Sequence, residues 1–168
     1  MSDHIAYILI GSNLGDRHQS IKKATELILL EGNHFIDASM IYETEPWGPV
    51  EQPSFLNQVI KIRTQMKPEQ LMHSLLQIEI KMGRIRNEKM GARMIDLDIL
   101  FYDDINHKSD TVTIPHPLLH ERRFVLTPLN EIATSFVHPV LKESINTLLH
   151  QCKDLLSVTK WEEHTQQH

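Results

Sequence analysis

An α+β fold follows from three features of this 168-residue chain. Stretches of strand-like and helix-like apolar periodicity succeed one another, Gly and Pro fall between them, and their order is strand, helix, strand, strand, helix, strand. That order predicts a split β-α-β, ferredoxin-like sandwich, a sheet with helices on one face, decorated by an additional hairpin and C-terminal helices. With 40% hydrophobic and 23% charged residues, the chain can bury a core for one compact domain spanning 1–168.

The opening "HIAYILIGSN" is a continuous apolar run ending at a glycine, as a central strand requires. Asp16 is a candidate N-cap for a helix whose Ile21, Ala24, Leu27 and Ile28 recur at helical spacing, and Gly32 can close it in a left-handed conformation. "HFIDASMIYET" reads as one strand, and "EPWGPVEQPS", with three prolines, as a long loop. "FLNQVIKIRTQ" alternates, with Leu56, Ile60 and Ile62 on one face and Asn57, Lys61 and Arg63 on the other. Pro68 opens a second helix with the stripe Leu71, Leu75, Ile78 and Met82, and Gly83 ends it. A hairpin within "YDDINHKSDTVTI" and a turn at "PHPLLHERR" follow the next strand. From Phe124 to Gln151 the pattern is helical in patches, broken at "HPV", and residues 161–168 read as a frayed tail.

The formal net charge of -5 disfavours a general nucleic-acid binder, so any basic site must be local. No apolar run is long enough for a membrane span and the start lacks the pattern of a signal peptide, which predicts a cytoplasmic protein. The single cysteine, Cys152, predicts no internal disulfide, and the eleven histidines are scattered, with no H-E-x-x-H arrangement of a zinc site.

The strand "RMIDLDILFY" sets Asp96 and Asp98 inside an otherwise apolar run. Alternation places Ile95, Leu97, Ile99 and Phe101 on one face and the two aspartates on the other. A helix would turn the aspartates roughly 200° apart and leave no apolar stripe. On a strand their stems lie roughly 6.6 Å apart, within reach of one cation or a pair of cations. The alternative is a solvated outer face.

Just upstream, "GRIRNEKMGAR" carries Arg84, Arg86, Lys89 and Arg93 in a glycine-containing, flexible loop. Carboxylates hold hard divalent ions and guanidinium groups grip phosphate oxygens, so the combination suits a metal-bound polyphosphate; a surface ion-pair network is the competing explanation. "GSNLGD" follows a strand and opens a helix, yet fits neither glycine-rich phosphate motif, and reads as a tight turn plus the Asp16 cap. Phe55 and Asn57 share a strand face and, with Trp47 and Phe124, could form an aromatic slot with an amide for a flat heterocycle, unless these aromatics are core.

These segments together resemble the 6-hydroxymethyl-7,8-dihydropterin pyrophosphokinase family of folate biosynthesis. "KMGARMIDLDIL" is similar to the family's basic-x-Gly-small-Arg-x-x-Asp-aliphatic-Asp signature, joined by "AYILIGSNLGDR", "YETEPWGPVEQPSFLNQV", "IEIKMGRIR" and "TIPHPLLHERRFVLTPLNEIA", which together run through residues 5–135. The resemblance implies pyrophosphate transfer from ATP, as co-substrate, to the hydroxymethyl group of the dihydropterin, with release of AMP. It implies two magnesium ions on Asp96 and Asp98, Arg84 and Arg93 at the transferring group, and Arg86, Lys89, His116 and Arg122 on phosphates. Glu79, Ile99 and Thr113 match positions near the nucleotide. Phe55 and Phe124 would sandwich the pterin, Asn57 would bond its polar edge, and Thr44, Pro46 and Trp47 would complete that pocket. Both partners are then small molecules, with no nucleic acid, membrane or obligate protein partner.

The chain departs from the pattern at Met90, where many members carry a tryptophan that caps the pterin; at Thr111 and Pro117, where some carry arginine and tyrosine; and in a loop one residue shorter than in some members. A ligand-sensing module on the same fold would not need aspartate pair, arginine loop and aromatic slot together. A metal-dependent nuclease shares D-x-D but not the acidic net charge.

Overall fold

The computed structural model describes residues 2–45, 51–83 and 94–163. Strand β1 (His4–Ser12) leads through a turn to α1 (Arg17–Leu30), then to β2 (His34–Ala38), β3 (Tyr42–Thr44), β4 (Phe55–Thr64) and α2 (Pro68–Lys81). After β5 (Asp96–Tyr102) come a hairpin of β6 (His107–Lys108) and β7 (Thr113–Ile114), a 3-10 turn, α3 (Arg123–Ala133), α4 (Ile145–Gln151) and β8 (Val158–Lys160). The main sheet runs β5-β1-β4-β3-β8, with β2 also on β4, and each pairing is antiparallel.

Local chemistry sets the element ends. Asp16 accepts the Gln19 N–H at 3.1 Å and so caps α1, while the buried Asn33 side chain donates at 2.9 Å to the Ile28 carbonyl in the last turn, which also accepts the Glu31 N–H at 3.3 Å. Pro68 opens α2, where the missing N–H is no loss, and Gln70 accepts the Lys67 N–H at 2.9 Å. The stretch expected as one strand over "HFIDASMIYET" is two. Ser39 accounts for the break: its hydroxyl accepts the Val59 N–H at 3.0 Å, taking the place of a backbone acceptor, and one extra residue accumulates between the β2 and β3 registers.

Helices cover both faces of the sheet, where one face was expected. Against the first lie α1 and α2, whose Ile21, Ile28, Leu71 and Leu75 interlock with Ile8, Ile10, Ile60 and Leu97. Against the second lie α3 and α4, whose Val125, Leu126, Leu129 and Leu148 pack on Tyr7, Leu9, Val59 and Phe101. The strongly apolar stripe of α3 had no place to be buried except this second face. Buried His138 closes its far edge beside Phe101, with Nδ1 accepting the N–H groups of Val140 and Leu141 at 3.1 and 3.0 Å.

The alternation expected along β5 breaks once. Tyr7 lies opposite Phe101 and Ile8 opposite Ile99, so Leu100 is a bulge residue. Leu97 and Ile99 therefore join the α1/α2 core, whereas Leu100 and Phe101 both join the α3 side and Tyr102 returns to the first core. Phe101 thus shares a face with the aspartates, contrary to the simple period of two.

The C-terminal segment adds strand β8, which pure helical periodicity after Phe124 did not foreshadow. Val158 lies opposite Thr44 and Lys160 opposite Tyr42, and Trp161 continues the ladder by donating to the Ile41 carbonyl at 2.9 Å while its ring meets His18. Residues 164–168 lie outside the described ones.

Candidate active site

On the second face, the start of α3 faces the ends of β1, β4 and β5 that carry Gly11, Phe55 and Asp96, and a cavity of about 110 Å³ lies between them. This is several times what one ordered water needs, so it has the scale of a ligand site. Asp96 and Asp98 open into it from β5, Phe55 and Asn57 from β4, and His116, Arg122 and Phe124 from the turn and the start of α3.

The floor is built by a glycine. A Cβ on Gly11 would stand 2.6 Å from Asn57 Oδ1, so only glycine lets the β4 amide lie flat across β1. Asn57 is buried and donates from Nδ2 to Thr44 Oγ1 at 2.9 Å, which orients the amide from the neighbouring strand. Tyr42 anchors that strand to α3 through a 2.7 Å hydrogen bond to Glu131 Oε1; burial first, and then the Glu131 carboxylate, push its phenol up to about 12.

The rim at residues 51–54 is held from "GSNLGDR". Asn13 Nδ2 donates to Gln52 Oε1 at 2.9 Å and to the Pro53 carbonyl at 3.0 Å. Arg17 Nη1 donates to Glu43 Oε2 at 2.8 Å and to the Ser54 carbonyl at 3.0 Å. The turn reading of this motif stands, with Asp16 as cap, but the motif also orders the segment ahead of Phe55.

Asp96 and Asp98 are half-buried on the same strand face, two residues apart. Between them, the Leu97 N–H donates at 2.8 Å to Glu79 Oε2, a carboxylate buried in α2 on the opposite side of β5. The acidic strand is thus fixed from behind. Arg122 stands near both aspartates and its guanidinium lies 5.8 Å from the Phe124 ring centre; burial lowers its pKa and the Asp98 and Asp96 charges oppose that shift. The His116 imidazole is pushed down to about 4 by burial and then by Arg122, with Asp96 partly opposing, so it is neutral at pH 7.

Of the residues expected from sequence, Thr44, Phe55, Asn57, Asp96, Asp98, His116, Arg122 and Phe124 line this one cavity. Glu79 and Ile99 are buried on the α1/α2 side of β5, and Thr113 lies in β7; none of the three lines it. Pro46, Trp47, Arg84, Arg86, Lys89, Met90 and Arg93 lie outside the described residues. Gly11, Glu45 and Gln52 also line the cavity and were not singled out from sequence; the glycine closing the first apolar run was the available signal for Gly11.

Among the described residues no group of three or more His, Cys, Asp or Glu side chains is assembled for a metal ion. The donor set here is two carboxylates. It suits a hard, oxygen-seeking ion that completes its shell with water and substrate oxygens rather than an ion caged wholly by protein.

An antiparallel α+β domain with a cavity of paired carboxylates, cationic and aromatic side chains is the class that fold and site define. Its fold is that of a crystal structure described as HPPK-DHPS in complex with substrates (TM-score 0.70, 18% identity, 89% of this chain and 43% of that one). It is likewise that of Plasmodium falciparum HPPK-DHPS wild type with pteroate (TM-score 0.71, 17% identity, 89% and 42%). Residues 7–134 match the 7,8-dihydro-6-hydroxymethylpterin-pyrophosphokinase family model, and the chain belongs to that family. It is 40% identical, over 80% of its length and 84% of the relative's, to a 2-amino-4-hydroxy-6-hydroxymethyldihydropteridine pyrophosphokinase of Haemophilus influenzae. It is 44% identical over 86% of its length to the folic acid synthesis protein fol1 of Schizosaccharomyces pombe, of which it spans only 20%. In fol1-type relatives from Dictyostelium discoideum and Pneumocystis carinii it likewise spans about a fifth of the length.

Proposed function

We propose that the protein transfers pyrophosphate from ATP to the hydroxymethyl oxygen of 6-hydroxymethyl-7,8-dihydropterin, giving AMP and the pterin diphosphate, as a cytoplasmic enzyme of folate biosynthesis. One observation carries this reading above the others: the aspartate pair opens into the same cavity as the Phe55, Asn57 and Phe124 slot, with Arg122 and His116 also on its lining. A polyphosphate site and a flat-ring site are thereby adjacent.

In this reading the pterin lies between Phe55 and Phe124, its polar edge on the Asn57 amide, which Thr44 orients and Gly11 leaves room for. Pro46 and Trp47 would complete that pocket, and Met90 would cover the ring through its thioether. Asp96 and Asp98 hold two magnesium ions, which supply charge neutralisation to the triphosphate. The hydroxymethyl oxygen forms a bond to the β-phosphorus, the bond from that phosphorus to the AMP oxygen breaks, and the hydroxyl proton is lost. Arg84, Arg93 and Arg122 balance charge on the transferring group, and Arg86, Lys89 and neutral His116 contact phosphate oxygens. Little covalent work falls to the protein; its contribution is in-line positioning and preset charge. Glu79 acts through β5, holding the Leu97 amide between the aspartates, while Ile99 and Thr113 serve the nucleotide from their own elements. Counting β2 and β3 as one edge, we read the core order of fourth, first, third and second strands as ferredoxin-like.

The test is AMP release from ATP, followed with pterin and magnesium each added or withheld. Release that needs both is the expected result. Folded protein that makes no AMP with both present overturns the reading, and saturable pterin binding without AMP would point to a sensing module.

A further inference from the structure

The cavity's two walls belong to different parts of the chain, and a segment outside the family-matched residues 7–134 joins them. Helix α3 starts directly after Arg122, which occupies its N-cap position without a side-chain cap. The missing acceptor comes from 31 residues away: Asp154 Oδ2 accepts the Arg123 N–H at 3.0 Å. The Arg123 side chain returns the contact, donating from Nε to the Asp154 carbonyl at 2.9 Å and from Nη2 to the Cys152 carbonyl at 3.0 Å. Asp154 Oδ1 also accepts the Leu156 N–H at 3.0 Å, so the carboxylate sets the path of the segment after it. Three residues on, the Ser157 N–H donates to Glu45 Oε1 at 2.8 Å, the Glu45 N–H to the Ser157 carbonyl at 3.3 Å, and Val158 pairs opposite Thr44.

We infer that residues 152–158 brace the cavity, with Asp154 and Arg123 as positioning residues that fix Arg122 and Phe124 at a set distance from the Thr44 and Asn57 wall. The inference rests on the proposed pterin site, because the quantity it sets is the width of the slot between Phe124 and Phe55. Neither Asp154 nor Arg123 lines the cavity. Their effect is on where α3 begins. A helix start without its cap frays over the first turn, and that turn and its N-cap carry Phe124 and Arg122, the α3-side residues proposed to face the substrate.

The experiment compares Asp154→Ala, Asp154→Asn and, as a control of similar instability, Ile28→Ala in the opposite core, by steady-state kinetics well below each unfolding midpoint. Asp154→Ala is expected to raise KM for the pterin by about tenfold with kcat changed less than about threefold. Asp154→Asn, whose amide oxygen can still accept the Arg123 N–H, should recover most of that loss. Ile28→Ala should leave KM within about twofold. An Asp154→Ala KM equal to that of wild type, or matched by Ile28→Ala, overturns the inference. Hydrogen exchange at residues 123–126 reads the brace without turnover, with about tenfold faster exchange expected in Asp154→Ala and unchanged exchange overturning it. A wild-type chain that makes no AMP counts against the assigned reaction instead, and the exchange comparison still decides the brace.

Discussion

The two faces of β1, β4 and β5 are built from alternate residues of the same strands and have opposite outcomes. On one, Ile8, Ile10, Ile60 and Leu97 meet α1 and α2 and are sealed along their length. On the other, Leu9, Val59 and Phe101 are sealed by α3, but the row continues into Gly11, Asn57, Asp96 and Asp98, where the helix no longer covers it. The difference teaches where a ligand site arises in such a fold. It needs no separate scaffold, only a second covering helix whose start leaves the strand ends open and polar residues in the positions so exposed.

Substitutions on the open row should abolish chemistry while sparing the fold. Asp96→Ala or Asp98→Ala is expected to lower turnover by about a thousandfold, roughly 4 kcal/mol at the transition state, with the unfolding midpoint nearly unchanged. Measuring kcat and thermal unfolding on one preparation checks it, and a fully active variant would remove the aspartates from the site. The sealed row should behave conversely. Ile8→Ala, fully buried, is expected to cost about 2 to 5 kcal/mol of stability in denaturant unfolding yet leave pterin KM near wild type.

Much of this contrast was legible in the sequence because it is local. The parity of β4, the Asp16 cap, the Pro68 start and the aspartate pair each follow from residues within a few positions of one another. What escaped depends on distant partners. Ser39 breaks its strand by bonding Val59, Leu100 bulges against β1, and β8 exists because β3 offers an edge to it. The site shows the same division: Phe55, Asn57 and the aspartates were readable as strand residues of one parity, whereas Gly11 matters only because Asn57 crosses it.

The far end of the second face offers a pH test. His138 is held neutral, pushed down to about 4 by burial and then by His120, against 6.5 unfolded. The unfolded chain therefore binds the proton first. Stability is full above about pH 6.5 and falls as pH drops toward 4, by up to roughly 3 kcal/mol. Urea unfolding across that window should show the loss, and His138→Gln should reduce it by about half, because His116, also held near 4, contributes the same dependence; an equal slope in the variant would place the acid sensitivity elsewhere. The smallest expected effect lies at the floor: Gly11→Ala, with its Cβ 2.6 Å from Asn57 Oδ1, should cost about 1 to 3 kcal/mol, as raised pterin KM together with a modest loss of stability.

Glu79 brings a further consequence. Strand β5 ends the sheet on its side, and an exposed outer strand is where foreign chains add themselves and fibrils begin. Here the Leu97 N–H is taken by the Glu79 carboxylate and the Leu100 carbonyl by the His116 N–H at 3.1 Å, so β5 presents fewer open groups for such recruitment. The contacts that hold the acidic strand in place also guard it against self-association, and a Glu79→Leu chain that still folds should be the more aggregation-prone one.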